Sequence, residues 1–160
     1  MRILLALFVV AVLLLAMGIA GNRLPLTSPP GLMARLKICL TTNRAETAND
    51  AALPELRPHD YALSPDQLFA AARATVEAQT WVIIGEDVAH WHLHAVVVTP
   101  LWRFKDDVQL SIEALPTGAR LNLVSQSRVG RADLGANARH ILDLYSALDA
   151  RLGIAVNPRQ

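Results

Sequence analysis

A chain of 160 residues with a formal net charge of +1 and a single cysteine is long enough for one domain beside a membrane segment. The near-zero charge argues against a general nucleic-acid binder, which needs a strongly basic face. The lone Cys39 rules out an internal disulfide and a cysteine-based metal site, and among Leu36, Ile38 and Leu40 it reads as a small buried hydrophobe.

Ile3 to Ala20 is an uninterrupted apolar run of eighteen residues after a single Arg2. As a helix it spans ~27 Å against a hydrocarbon core of ~30 Å. Residues 1–21 are therefore read as a transmembrane or signal-anchor segment that stays attached. Gly18-Ile19-Ala20 before Gly21 offers the alternative, a secreted periplasmic protein after signal cleavage. No cysteine stands directly after the run, so a lipid-modified N-terminus is not indicated. A very short N-terminal flank acts as a signal-type start, which places the domain outside the cytoplasm after a single membrane pass. Arg23, Arg35, Lys37 and Arg44 compete with Arg2 under the positive-inside rule.

Residues 22–30, rich in proline and small polar side chains, form a linker. From Gly31 to Leu40 the spacing predicts a short amphipathic helix with Leu32, Met33, Leu36 and Leu40 as its stripe. The favoured reading packs that stripe on the domain; the other lays it on the membrane with Arg35 and Lys37 toward headgroups. Thr41 to Leu63 shows no period and contains Pro54 and Pro58, so an extended excursion over the surface is predicted. Loops of that length are often functional. Ser64 as N-cap, Pro65 in the first helical position and Gln67 as capping-box partner open a helix to about Ala78. Its buried stripe is Leu68, Phe69, Ala72 and Val76.

Four strands are then predicted, Trp81 to Glu86, His90 to Thr99, Asp107 to Ala114 and Arg120 to Ser127, with turns at Pro100 and at Leu115 to Gly118. Val108, Leu110, Ile112 and Ala114 alternate with polar residues, as in a strand with one face on a core. A four-residue loop pairs Ala114 with Ala119, Ile112 with Leu121, Leu110 with Leu123, Val108 with Ser125 and Asp106 with Ser127. A slip of one residue would turn every apolar pair outward. Asp106 then faces the core and Asp107 faces water. Ser127, the start of the last helix, and Arg128 or Arg139 are the partners within reach of Asp106. The final helix starts at Asp133, which can cap it, carries Leu134, Ala138, Ile141, Tyr145, Leu148 and Leu152 inward, and ends at Gly153. The fold class is α+β: residues 31–160 form one two-layer domain, an antiparallel four-stranded sheet with helices on one face, preceded by the anchor helix.

Polar residues concentrate in three runs: Thr99 to Asp107, Ser125 to Gly130, and Arg131 to His140. Thr-Pro-Leu-x-Arg-Phe-x-Asp-Asp-Val and Ser-x-Ser-Arg-Val-Gly-x-x-Asp-x-Gly-x-Asn resemble the uncharacterised family named domain of unknown function 1499. The likeness extends more weakly to Pro29-Pro30-Gly31-Leu32-Met33 and to Thr41 through Thr47, and its specific part is Arg103 to Asn137. The resemblance implies a bacterial or plastid envelope setting and no chemistry.

Three constellations could carry chemistry. His90, His92 and His94 at alternate strand positions put imidazoles on one face, but a line of ligands suits a tetrahedral ion badly, so a solvated face is the expectation and no metal is assigned. Ser125 and Ser127 with His140 and an aspartate suggest a hydrolase triad, yet no strained elbow or oxyanion-hole motif accompanies them. Arg103, Arg128, Arg131, Asn137 and Arg139 around the start of the last helix form a candidate anion site. The plainer alternative is that the arginines neutralise Asp106, Asp107 and Asp133 in a structural cluster with Ser125 and Ser127. The functional expectation is a membrane-anchored, non-enzymatic binding or structural module of the cell envelope. Its partners would be the membrane and an anionic small molecule, a lipid headgroup or an envelope protein, with no cofactor and no nucleic acid; the alternative is an envelope hydrolase using the same cluster.

Overall fold

The computed structural model describes residues 1–99 and 103–154, so the turn expected at Pro100 lies outside the described residues. Helix α1 (Arg2–Gly21) is apolar on every side, and its side chains remain exposed up to Ile19, the one buried residue in it. Beyond it come α2 (Leu32–Thr41), β1 (Arg44–Glu46), β2 (His59–Tyr61), α3 (Pro65–Ala78), β3 (Val82–Asp87), β4 (His92–Val98), β5 (Lys105–Leu115), β6 (Gly118–Ser127) and α4 (Ala136–Leu152). The domain is α+β, with an antiparallel sheet ordered β1-β6-β5-β4-β3 and β2 also paired to β6.

The sheet has six strands rather than the four read from the sequence. The two added strands come from the excursion after α2, which lies along the free edge of β6: β1 pairs at residues 124–126 and β2 at 119–121. Between them Thr47 continues the ladder. Its backbone N–H donates to the Leu123 carbonyl at 2.9 Å, and its hydroxyl accepts from the Leu123 N–H at 2.9 Å. Edge pairing satisfies backbone groups that an uncovered strand would leave to solvent.

Register on β5 and β6 follows the apolar alternation, pairing Ile112 with Leu121, Leu110 with Leu123 and Asp106 with Ser127. The inner face these residues create is covered by α3 through Leu68, Phe69, Ala72 and Val76, and by α4 through Ile141, Leu144, Tyr145 and Leu148, all buried. Ser64 caps α3 through the expected capping box with Gln67. On α4, Asp133 lies just before the helix and its carboxylate accepts from the N–H groups of Gly135 (2.8 Å) and Asn137 (3.0 Å). Two polar side chains, Asn137 and Asp149, join the buried stripe of α4. Asp149 accepts the Tyr61 hydroxyl at 2.9 Å, and the His59 ring stacks on Tyr145 at 3.9 Å, so the far end of the excursion is tied to α4.

Helix α2 departs from the favoured expectation, because its buried side is Arg35 and Cys39 while Leu32, Met33 and Leu40 stay exposed. The cause is the Arg35 guanidinium. It pairs with Glu55 (Nη1–Oε1 2.5 Å, Nη2–Oε2 2.8 Å) and donates to the carbonyls of Ser28 and Pro29, clamping the linker and the excursion to one point. A buried charge is tolerated only with such complete pairing, and it turns Leu32, Met33 and Leu40 outward while Leu36 of the expected stripe stays partly buried against the core.

Gly118 closes the β5–β6 turn with φ +121°, and a Cβ there would stand 2.1 Å from the Tyr61 carbonyl oxygen. Backbone cannot yield as a side-chain tip can. Gly118→Ala should therefore cost about 2 to 4 kcal/mol, measured by urea denaturation, with β2 losing amide protection first.

Candidate functional site

Strand parity builds the site. Along β5 the buried positions are Asp106, Val108, Leu110 and Ile112, so the first of the paired aspartates enters the core face and the second faces out. Asp106 is 1% exposed. Its Oδ2 lies 2.9 Å from Nε2 of His140, one turn into α4, and the His140 ring packs edge-on against Trp81 at 5.9 Å. The partner is thus the histidine and not an arginine. After the inward Ser127, the chain carries Arg128 to the outer face, where its guanidinium grips Asp107 with two bonds of 2.8 and 2.7 Å. Arg139 precedes His140 by a third of a helical turn and pairs along the helix with Asp143.

Beside the Asp106–His140 pair sits a second polar group centred on Asn137, which is fully buried. Its Oδ1 accepts from the Ser125 hydroxyl at 2.6 Å. The two hydrogens of its Nδ2 are shared among three acceptors, Ser127 Oγ (2.9 Å), the Asn43 carbonyl (2.9 Å) and Asp133 Oδ2 (2.6 Å). Neither serine is hydrogen-bonded to His140, so the serine-to-histidine link that a triad requires is not formed. Asn137, one of the residues considered for anion binding, has its amide taken up by these internal partners.

The remaining candidate residues are dispersed. Arg103 is exposed with a left-handed backbone (φ 56°), Arg131 is exposed, and neither is ion-paired with a carboxylate among the described residues. His90 lies in a short 3-10 turn before β4 and bonds Asp87 at 2.8 Å, His92 is exposed, and His94 bonds Asp107 at 2.8 Å. The three imidazoles therefore do not share one strand face as alternation alone suggests, since the left-handed Trp91 (φ 55°) separates His90 from β4. Among the described residues there is no cluster of three metal-ligating side chains. Burial, then Asp133, push the Cys39 thiol above its ordinary range, the opposite of what a reactive thiol needs.

Next to the buried aspartate the surface opens into a cavity of about 580 Å³. The end of α1 lines it through Met17, Gly18 and Gly21, together with Thr99, Phe104 and Val129 and with Asp106 and Ser127 of the sheet. The helix is held there by close contact. A Cβ on Gly18 would stand 2.5 Å from Leu134 Cδ1, Asn22 Nδ2 donates to the Leu134 carbonyl at 2.9 Å, and Ile19 is buried in the core cluster. Sequence reasoning missed this wall and gave His140 only a triad role. A usable signal was the polar Asn137 at an inward position of an otherwise apolar α4 stripe, because a buried amide requires a polar neighbourhood.

A family model described as a protein of unknown function (DUF1499) matches residues 35–148. The chain belongs to that family. Comparison with curated protein sequences finds no match. Among solved structures, "Crystal structure of Ara h 8.0201" is similar at 12% identity with a TM-score of 0.41, covering 61% of this chain and 95% of that one. At that score the likeness carries no argument about fold or function. Within the matched residues, Ser125, Ser127, Asp133 and Asn137 form one hydrogen-bonded cluster, while Asp106 pairs with His140 and Asp107 with Arg128.

Asp106→Ala leaves His140 without its buried carboxylate and should cost about 3 to 5 kcal/mol, whereas Asp107→Ala, on the outer face, should cost about 1 kcal/mol or less; urea denaturation of both variants measures the difference. The Arg128 hydrogen bonds, with His94 adding to them, hold the Asp107 carboxyl below its ordinary value. A depressed folded value means stability that is present above the ordinary carboxylate range and is lost as pH falls through the folded value. Arg128→Ala should move the Asp107 titration, followed by carboxyl NMR shifts, back up toward the ordinary range.

Proposed function

We propose that this DUF1499 protein is a single-pass, membrane-tethered, non-enzymatic module of the cell envelope, with its domain on the periplasmic side and a ligand site where the domain meets the bilayer. The observation that carries the reading is α1, whose apolar run of 18 residues has a mean hydropathy of 3.1 with 6% of it buried against the rest of the protein. A helix that apolar and that exposed needs a hydrocarbon surrounding. Its final turn is packed on the domain through Ile19, Gly18 and Asn22, which favours a retained anchor over a cleaved signal.

Further support comes from the surface around the end of α1. Met17, Phe104 and Val129 are exposed there and line the same cavity. Helix α2 reaches the same place, since the Cys39 carbonyl accepts the Leu134 N–H at 3.1 Å, and it leaves Leu32, Met33 and Leu40 outward with Lys37. Apolar side chains beside a cation are what the headgroup region accepts. Binding is favoured over catalysis because the serines, Asn137 and Asp133 hydrogen-bond one another and neither serine engages His140.

Alkaline washing of membranes from cells making the full chain tests the tether. The chain should stay in the pellet with Met1 or Arg2 at its N-terminus, and protease added from the periplasmic side should digest the domain. A soluble chain starting at Gly21 would establish the secreted alternative instead.

A further inference from the structure

We infer that the cavity at the end of α1 takes a neutral, hydroxyl-bearing amphiphile from the bilayer, seated with its hydroxyl between Asp106 and Ser127; this rests on α1 remaining attached to the domain. Asp106 lines the cavity, and of its two oxygens Oδ2 is held by His140. Its Oδ1 is buried and has no hydrogen-bond partner, the one side-chain polar atom of that kind among the described residues. A buried carboxylate oxygen without a donor is costly, and the cost is relieved by a ligand that brings one.

Ser127 lines the same cavity directly across the ladder from Asp106. Its oxygen accepts from Asn137 Nδ2 at 2.9 Å, which leaves the hydroxyl hydrogen free to donate. The two side chains start roughly 5 Å apart, the spacing of opposed residues in an antiparallel pair. One acceptor and one donor at that spacing match a group that both gives and takes a hydrogen bond. A hydroxyl does both.

Charge narrows the choice further. Asp106 and Asp133 both line the cavity and no arginine or lysine does so among the described residues, so a carboxylate or phosphate would meet repulsion. A primary ammonium would satisfy Asp106 and leave the Ser127 hydrogen without an acceptor. Met17, Phe104, Val129 and Leu134 make the remaining wall apolar, suited to a hydrocarbon body. At about 580 Å³ the space lies within the range of roughly 300 to 1,000 Å³ usual for small-molecule sites.

The test uses the full chain in phosphatidylcholine nanodiscs with a diazirine-bearing long-chain alcohol, cross-linked by light and located by mass spectrometry. Saturable labelling is expected on the α1 end and on the peptide from Ser127 to Ala136. Dodecanol should compete at a concentration about tenfold lower than dodecane, the factor one hydrogen bond supplies. Ser127→Ala should erase that preference, and Val129→Trp, an exposed position at the rim, should abolish labelling while leaving the unfolding temperature unchanged. Dodecanoate or dodecylamine competing as well as dodecanol overturns the hydroxyl assignment, as does equal competition by dodecane. Unsaturable or scattered labelling on a chain that retains Met1 overturns the site and leaves the tether standing. A chain that begins at Gly21 lacks the Met17 and Gly18 wall and overturns both.

Discussion

The carboxamide of Asn137 is sealed from water, and its hydrogen bonds join segments that are remote in sequence. Through Ser125 and Ser127 it holds β6, through the Asn43 carbonyl it holds the chain entering β1, and through Asp133 it holds the start of α4. A buried amide is stabilising only while all of its groups are met, so these segments are fixed together or not at all. The polar end of the domain depends on that condition. Leu134 and Gly135, which receive α1 and α2, are carried in the short stretch between Asp133 and Asn137, and their positions follow from it.

The same end of the sheet separates charge by parity. Asp106 and Asp107 are adjacent in sequence, yet one meets a histidine within the core layer and the other meets an arginine and a second histidine on the outer face. The pairing leaves the cavity with acidic and hydroxyl groups and no basic ones among the described residues, although arginines crowd the sequence around it. Composition of the polar runs therefore points toward an anion, and the directions of the side chains point away from it.

Much of the fold was legible because it rests on periodicity. The β5–β6 register, the inward turn of Asp106 and the capping box of α3 all follow from alternation or from residue types with fixed spacing. The two short strands were not legible, since three residues show no period and their pairing is dictated by the open edge of β6. Nor was the facing of α2. Its leucine stripe reads as a buried face, and the opposite outcome depends on Glu55, twenty residues away, reaching Arg35. In the candidate site the participants were visible but their pairing was not: Arg128 and Arg139 were both close enough in sequence, and only the handedness of strand and helix sends them away from Asp106.

In the proposed tethered arrangement the Asp106 and Ser127 end of the sheet faces the bilayer and the Thr117 turn points away from it, about 30 Å distant along β6 by strand rise. Nitroxide labels at Leu40, Phe104, Val129 and Thr117, introduced singly in a Cys39→Ala background of the full chain in bilayers, read that orientation through their relative accessibility to oxygen and to a water-soluble nickel chelate. The account predicts oxygen-rich, headgroup-depth environments for Leu40, Phe104 and Val129 and a fully aqueous one for Thr117. Equal aqueous accessibility at all four positions would contradict it.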